Sequence, residues 1–161
     1  MLDQEKQKYL QIREKADIFY KDIKQIRCPA LNNELIHFSS EGFNHLIYKG
    51  KRRERDKKVQ IMKFKLLPKA KTIISISTTF QEYDEMLTSV VVKKKKKKVK
   101  VASEAKYWGF IAIIDNFRVK VIIRQIGKGK KQFWSVIPAW STNYYRNIKL
   151  IKQFKGDLVN E

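Results

Sequence analysis

Two histidines, His37 and His45, are the only side chains here, chain termini aside, whose ordinary pKa lies near neutrality. His45 precedes a run of cations, Lys49, Lys51, Arg52 and Arg53. An imidazole can move a proton while guanidinium and ammonium groups stabilise charge building on a phosphorus centre. Neighbouring cations also lower an imidazole's pKa, which favours its neutral, basic form. His45, Lys49 and Arg52 stand at i, i+4 and i+7, so they would share the outer face of a helix that continued past Gly50. Phe43, Leu46 and Ile47 would form its inward stripe. The plainer reading of this spacing makes His45 an ordinary exposed helix residue. His37, beside Phe38, reads as a packed structural residue.

A second group of candidates lies downstream. Reading 118–125 with a two-residue period puts Arg118, Lys120, Ile122 and Arg124 on one face of a strand, and Val119, Val121, Ile123 and Gln125 on the other. The expectation is an apolar face against helices and an open, cationic face toward solvent. Lys128 falls in the following turn, and Ser135 lies in the next strand, able to hydrogen-bond a phosphate or a 2′-hydroxyl. Tyr107 and Trp134 could stack bases, although aromatic residues in such strands also serve as core.

Other chemistries find little footing. Gly127-Lys128-Gly129 lacks the third glycine and the helix of a nucleotide-binding loop. The acidic residues are scattered, so no metal site and no cofactor are expected. Cys28 is the only cysteine, which excludes an internal disulfide and fits a reducing compartment.

The elements that must position these residues follow from periodicity and breakers. Leu2 to about Arg27 reads as a helix with Leu10, Ile18, Ile23 and Ile26 on its apolar side, stopped by Cys28-Pro29. Leu35–Phe38 is a strand or packed loop. Ser39-Ser40-Glu41 offers capping chemistry for a short helix ending near Gly50. Val59, Met62 and Leu66 mark a further helix that Pro68 should end, and Ile73-Ile74-Ser75-Ile76 reads as a strand. Six lysines, Lys93–Lys98, flanked by Val90–Val92 and by Val99 and Val101, suit a solvated loop or hairpin tip. Tyr107–Ile114, Phe117–Ile126 and Gln132–Ile137, separated by Asp115-Asn116 and Gly127–Lys130, read as an antiparallel meander closed by Pro138. Asn143–Phe154 suits a terminal helix.

The charge explains what such a scaffold would meet. Thirty-six Lys and Arg face sixteen Asp and Glu, a net charge of +20. Residues 1–50 hold eight basic and seven acidic side chains, and residues 51–161 twenty-eight against nine. Such an excess repels itself unless a polyanion offsets it, which points to a nucleic acid, RNA above all. The 43% hydrophobic content argues against a disordered basic tail. No apolar run approaches the length of a membrane span, and the charged N-terminus is unlike a secretory signal, so no membrane partner and a cytoplasmic location are expected.

Taken in order, His45, Lys51-Arg52-Arg53, the helix ending Leu66-Leu67-Pro68, Val119-Lys120-Val121-Ile122-Ile123-Arg124 and Phe133-Trp134-Ser135-Val136 resemble the barnase–EndoU–colicin–RelE superfamily of small ribonucleases, particularly its phage- and toxin-associated branch. The resemblance covers roughly residues 35–140. It implies an α+β fold with N-terminal helices packed on an antiparallel sheet, and metal-independent cleavage in which the ribose 2′-hydroxyl attacks the adjacent phosphate. His45 would be the acid–base residue, Arg52 or Arg53 and Arg124 the phosphate clamps, and Ser135 a polar positioning residue. Lys49, Arg53, Lys120, Lys128, Tyr107 and Trp134 would contact the nucleic acid. The chain departs from the pattern in the poly-Lys run and in the last two strands, which hold neither a second histidine nor a glutamate base; Lys128 or Tyr107 would have to substitute. One domain is expected: a helical segment over 1–34, a nuclease-like core over 35–140 with its poly-Lys loop at 93–98, and a tail over 141–161. Three readings follow: a toxin-like endoribonuclease, a non-catalytic RNA- or DNA-binding module, and a protein that meets an acidic partner such as an antitoxin or inhibitor.

Overall fold

The computed structural model describes residues 2–50, 52–139 and 159. The expected terminal helix at 143–154 lies outside them. The architecture is α+β, with three helices and a six-stranded mixed sheet.

Helix α1 spans Leu2–Ile23 and buries Tyr9, Ala16 and Tyr20. The expected stripe was misplaced: Leu10 and Ile18 are exposed. Tyr9, Ile12, Ala16, Phe19, Tyr20 and Ile23 follow one another at intervals of three or four, with Phe19 beside Tyr20, and so share a face, whereas Leu10 and Ile18 do not fall on it. The helix also ends earlier than expected. Lys24 adopts a left-handed conformation (φ 59°), and Gln25–Cys28 forms strand β1, which takes Ile26 out of the helix.

A turn through Asn32 and Asn33, both at positive φ, returns the chain as β2, Glu34–His37, antiparallel to β1. Ser39 then caps α2, Ser40–Ile47, its hydroxyl accepting from the Gly42 N–H at 3.4 Å. Two short strands follow, β3 (Tyr48–Lys49) and β4 (Arg53–Glu54), paired as a small separate hairpin.

Helix α3 runs from Lys57 to Ile76, straight through Pro68. The expectation that Pro68 ends the helix, and that residues 73–76 form a strand, is therefore overturned. A proline inside a helix costs about 3 kcal/mol. Phe64, Leu67, Ala70, Ile73 and Ile74 are all buried on one side of α3, and each large apolar side chain buried contributes roughly 1.5–3 kcal/mol. Burial on both sides of Pro68 outweighs its local preference, and Pro68 itself faces solvent.

The rest of the sheet is a meander. β5 (Glu82–Lys94) and β6 (Lys97–Ile114) form a long hairpin, followed by β7 (Phe117–Ile126) and β8 (Gln132–Pro138). Strand order is β1-β2-β8-β7-β6-β5, antiparallel throughout except for β2 beside β8, which pair through His37 and Gln132. The turns at Lys95-Lys96 and Asp115-Asn116 place both residues at positive φ, matching the twist of a two-residue hairpin. The helices cover one sheet face, where Val119, Val121, Ile123, Phe133 and Val136 join the main core. A smaller apolar cluster of Ala105, Tyr107 and Ile122, with Met86, Ile126, Trp134 and Val159 against it, covers part of the other face. Among the described residues, no helix is long and apolar enough to cross a membrane.

Candidate active site

Three contacts fix the start of α2, one from α1 and two from β8. The Tyr20 hydroxyl donates to the Ser39 carbonyl at 2.6 Å, and the Ser39 hydroxyl donates to Gln132 Oε1 at 2.5 Å. At Gly42 the helix approaches β8 so closely that a Cβ would lie 2.3 Å from the Phe133 carbonyl oxygen. Glu41 and His45, four residues apart on α2, are thereby carried to the end of the sheet where Arg124 and Trp134 lie.

His45 does not face outward as the helix reading expected. Its side chain is buried, and α2 ends at Ile47, so Lys49 and Arg52 do not continue its face. The imidazole stacks on the indole of Trp134, with ring centres 4.0 Å apart and planes 16° from parallel. The Arg124 guanidinium carbon lies 3.5 Å from the centre of the same indole. Two planar groups that close to one ring would collide on a single face, so they occupy opposite faces, with Trp134 between them. Both faces of Trp134 are thus taken by protein groups. It is a platform for His45 and Arg124, not the base-stacking surface expected.

Arg55 holds His45 from a second direction. Its Nε donates to the His45 carbonyl at 3.0 Å, and its Nη2 lies 3.3 Å from His45 Nε2. A guanidinium can only donate, so Nε2 is the acceptor and the ring's proton resides on Nδ1. Burial, reinforced by the positive charges of Arg55, Lys63 and Arg124, pushes the His45 pKa down to about 2. The expected direction holds, but the size of the change makes His45 an uncharged group at any physiological pH and a weak base.

Arg124 is buried, not displayed on an open face, yet its Nη2 donates to Glu41 Oε2 at 2.7 Å. Its Nε has no hydrogen-bond partner among the described residues. Arg52 occupies the turn of the β3–β4 hairpin at φ 59°, exposed and directed to the same place. Glu41, Asn44, His45, Tyr48, Gly50, Arg52, Arg124, Trp134 and Val159 line a single cleft of about 680 Å³.

The cleft therefore brings together His45, Arg52, Arg124 and Trp134, and leaves the other candidates out. Ser135 is fully buried, accepting from Lys63 Nζ at 2.9 Å, so it is no surface ligand. Lys120 has no exposed surface, and its ammonium pairs with Glu82 at 2.9 Å. Tyr107 lies buried opposite Arg124 in the β6–β7 register, where it cannot receive a base. The open cationic face expected from the two-residue period is thus wrong around Lys120, Ile122 and Arg124. Alternation along a strand separates faces but does not show whether something covers them. Lys49 and Arg53 are exposed and paired across the β3–β4 hairpin, outside the cleft lining, and Lys128 is exposed in the β7–β8 turn.

Glu41, Arg55 and Lys63 carry no functional expectation from the sequence. Two signals were available. Glu41 and His45 stand at i and i+4 in a capped helix, and Lys63 falls on the apolar stripe of α3 between Gln60 and Phe64. Among the described residues, no group of three or more His, Cys, Asp or Glu side chains is placed to hold a metal ion. No protein-family model, curated protein or solved structure matches the chain.

Proposed function

We propose that the chain is a metal-independent endoribonuclease that cleaves RNA by attack of a 2′-hydroxyl on the adjacent phosphate, with its active site in the cleft beside Trp134. The observation that carries this reading is the convergence of Glu41, His45, Arg52 and Arg124 on one cavity. Arg124 and Arg52 supply guanidinium donors for a phosphodiester, and among the described residues Arg124 donates through Nη2 to Glu41. The Glu41 side chain is 66% exposed and takes the 2′-hydroxyl proton as O2′ bonds to phosphorus. The P–O5′ bond breaks, the departing 5′-oxygen takes a proton from solvent water in the open cleft, and the guanidinium groups stabilise the charge gathering on the phosphoryl oxygens. Glu41 is the proton acceptor that the last two strands lack. His45 is a positioning residue: uncharged and clamped by Arg55, it presses Trp134 against Arg124 without adding a competing charge.

The low His45 pKa favours a second reading, a non-catalytic RNA- or DNA-binding module in which the same cations hold a phosphate backbone. Incubating the protein with total RNA in EDTA and mapping the ends separates the two. The nuclease yields 2′,3′-cyclic phosphate termini. Intact RNA that is bound with an affinity falling steeply as salt rises supports the binding module and overturns the nuclease.

A further inference from the structure

A second cavity, of about 590 Å³, adjoins the cleft and shares Glu41 with it. Lys24 and Lys130 line it from the β1 and β8 ends, and Val90 of β5 closes it from the side. Val90 belongs to a projecting arm. β7 pairs with β6 only from Ala105 onward, so Leu87–Lys94 and Lys97–Glu104 run past the sheet as a two-stranded ribbon. From Val90 the ribbon extends four residues to Lys94, a distance of about 13 Å, and turns at Lys95-Lys96. Lys93–Lys98 and Lys100 crowd this end, all exposed, and Lys93–Lys98 take part in no ion pair among the described residues.

An unsupported two-stranded ribbon is marginal on its own, and neighbouring ammonium groups make it worse by repulsion. Lysines at a strand edge discourage strand-to-strand association, but six in succession exceed that need. We infer that the second cavity and the lysine-tipped arm form an extended subsite for the sugar–phosphate chain flanking the phosphate held in the cleft, so that the protein selects long RNA over short oligonucleotides. The path is continuous: a strand leaving the cleft past Glu41 meets Lys130 and Lys24, then the arm. The inference builds on the cleft as an RNA site, whether or not cleavage occurs there.

The test compares wild type with a variant carrying Lys→Gln at Lys93–Lys98, and with Lys130→Gln. Binding is measured across salt with 2′-O-methyl RNA of three and of twenty nucleotides, which lacks the attacking hydroxyl. The expected result is unchanged trinucleotide affinity, which also reports an intact fold. Twenty-nucleotide affinity should fall roughly tenfold or more, with a log–log salt slope shallower by about 2, some 0.7 for each lost phosphate contact. Lys130→Gln should give a smaller loss, again only with the longer RNA. Equal long-RNA affinity in wild type and the six-Gln variant overturns the arm subsite and leaves the nuclease standing if unmodified RNA is cleaved. Loss confined to long RNA, with no cleavage of unmodified RNA by wild type, keeps the subsite and overturns the nuclease. Absence of RNA binding by wild type overturns both.

Discussion

The His45 imidazole stacks on the Trp134 indole at 4.0 Å, and Arg124 lies 3.5 Å from that indole's centre. One histidine buried beside three cations is electrostatically costly to protonate, which keeps the stack neutral on one side and cationic on the other. The arrangement aims the Arg124 guanidinium at Glu41 and the cleft.

That burial has a consequence for stability. Unfolded, His45 takes up a proton near pH 6.5; folded, it does so only near pH 2. Between these values the unfolded chain binds more protons, so stability is fully present above pH 6.5 and falls as the pH drops. The slope approaches about 1.4 kcal/mol per pH unit, or about 2 kcal/mol between pH 6.5 and 5. Urea unfolding at a series of pH values measures it. His37, also lowered by burial and by Lys130, contributes in the same direction, so the His45 share is the part of the slope that disappears in His45→Gln. A slope unchanged in that variant would mean that His45 titrates normally.

Trp134 joins His45 to Arg124, so its removal should affect both. Trp134→Ala should destabilise the fold by about 2 kcal/mol and lower kcat/KM for RNA roughly 100-fold, while Trp134→Phe, which retains a flat ring, should recover most of the activity. Steady-state kinetics alongside urea unfolding reads both effects. Wild-type kcat/KM in Trp134→Ala would show that the platform is dispensable.

The approach of α2 to β8 is set by a missing side chain. A Cβ on Gly42 would lie 2.3 Å from the Phe133 carbonyl oxygen and 2.5 Å from the Tyr20 hydroxyl. The carbonyl belongs to a buried strand and cannot swing away, so Gly42→Ala should cost about 2–3 kcal/mol by displacing α2. Its cleavage activity should fall as well, because Glu41 and His45 ride on that helix. A thermal melt matching wild type would contradict the packing described.

Much of the scaffold was legible in the sequence. The meander followed from β-rich runs punctuated by Asp115-Asn116 and Gly127–Lys130, and the Ser39 cap marked the start of α2. The six lysines read as a solvated loop or a hairpin tip over 93–98; the turn itself is Lys95-Lys96, and the lysines on either side belong to β5 and β6. What escaped depended on tertiary contacts. Pro68 reads locally as a stop, and only the burial of Leu67, Ile73 and Ile74 carries α3 through it. Lys120 and Ser135 read as surface residues, because their partners Glu82 and Lys63 are distant in sequence. His45 was found, but its burial was not, because the groups that cover it, Trp134 and Arg55, lie outside α2 and meet it only in the folded chain.

The most direct test of the cleft as a nuclease centre is the single-turnover cleavage rate of Glu41→Gln beside that of wild type, with RNA affinity measured in parallel. The variant keeps the shape of the side chain and one acceptor oxygen for Arg124 but cannot accept the 2′-hydroxyl proton. Cleavage at least 100-fold slower, with affinity within a few-fold of wild type, is the expected result. Equal cleavage rates in the two proteins would contradict it.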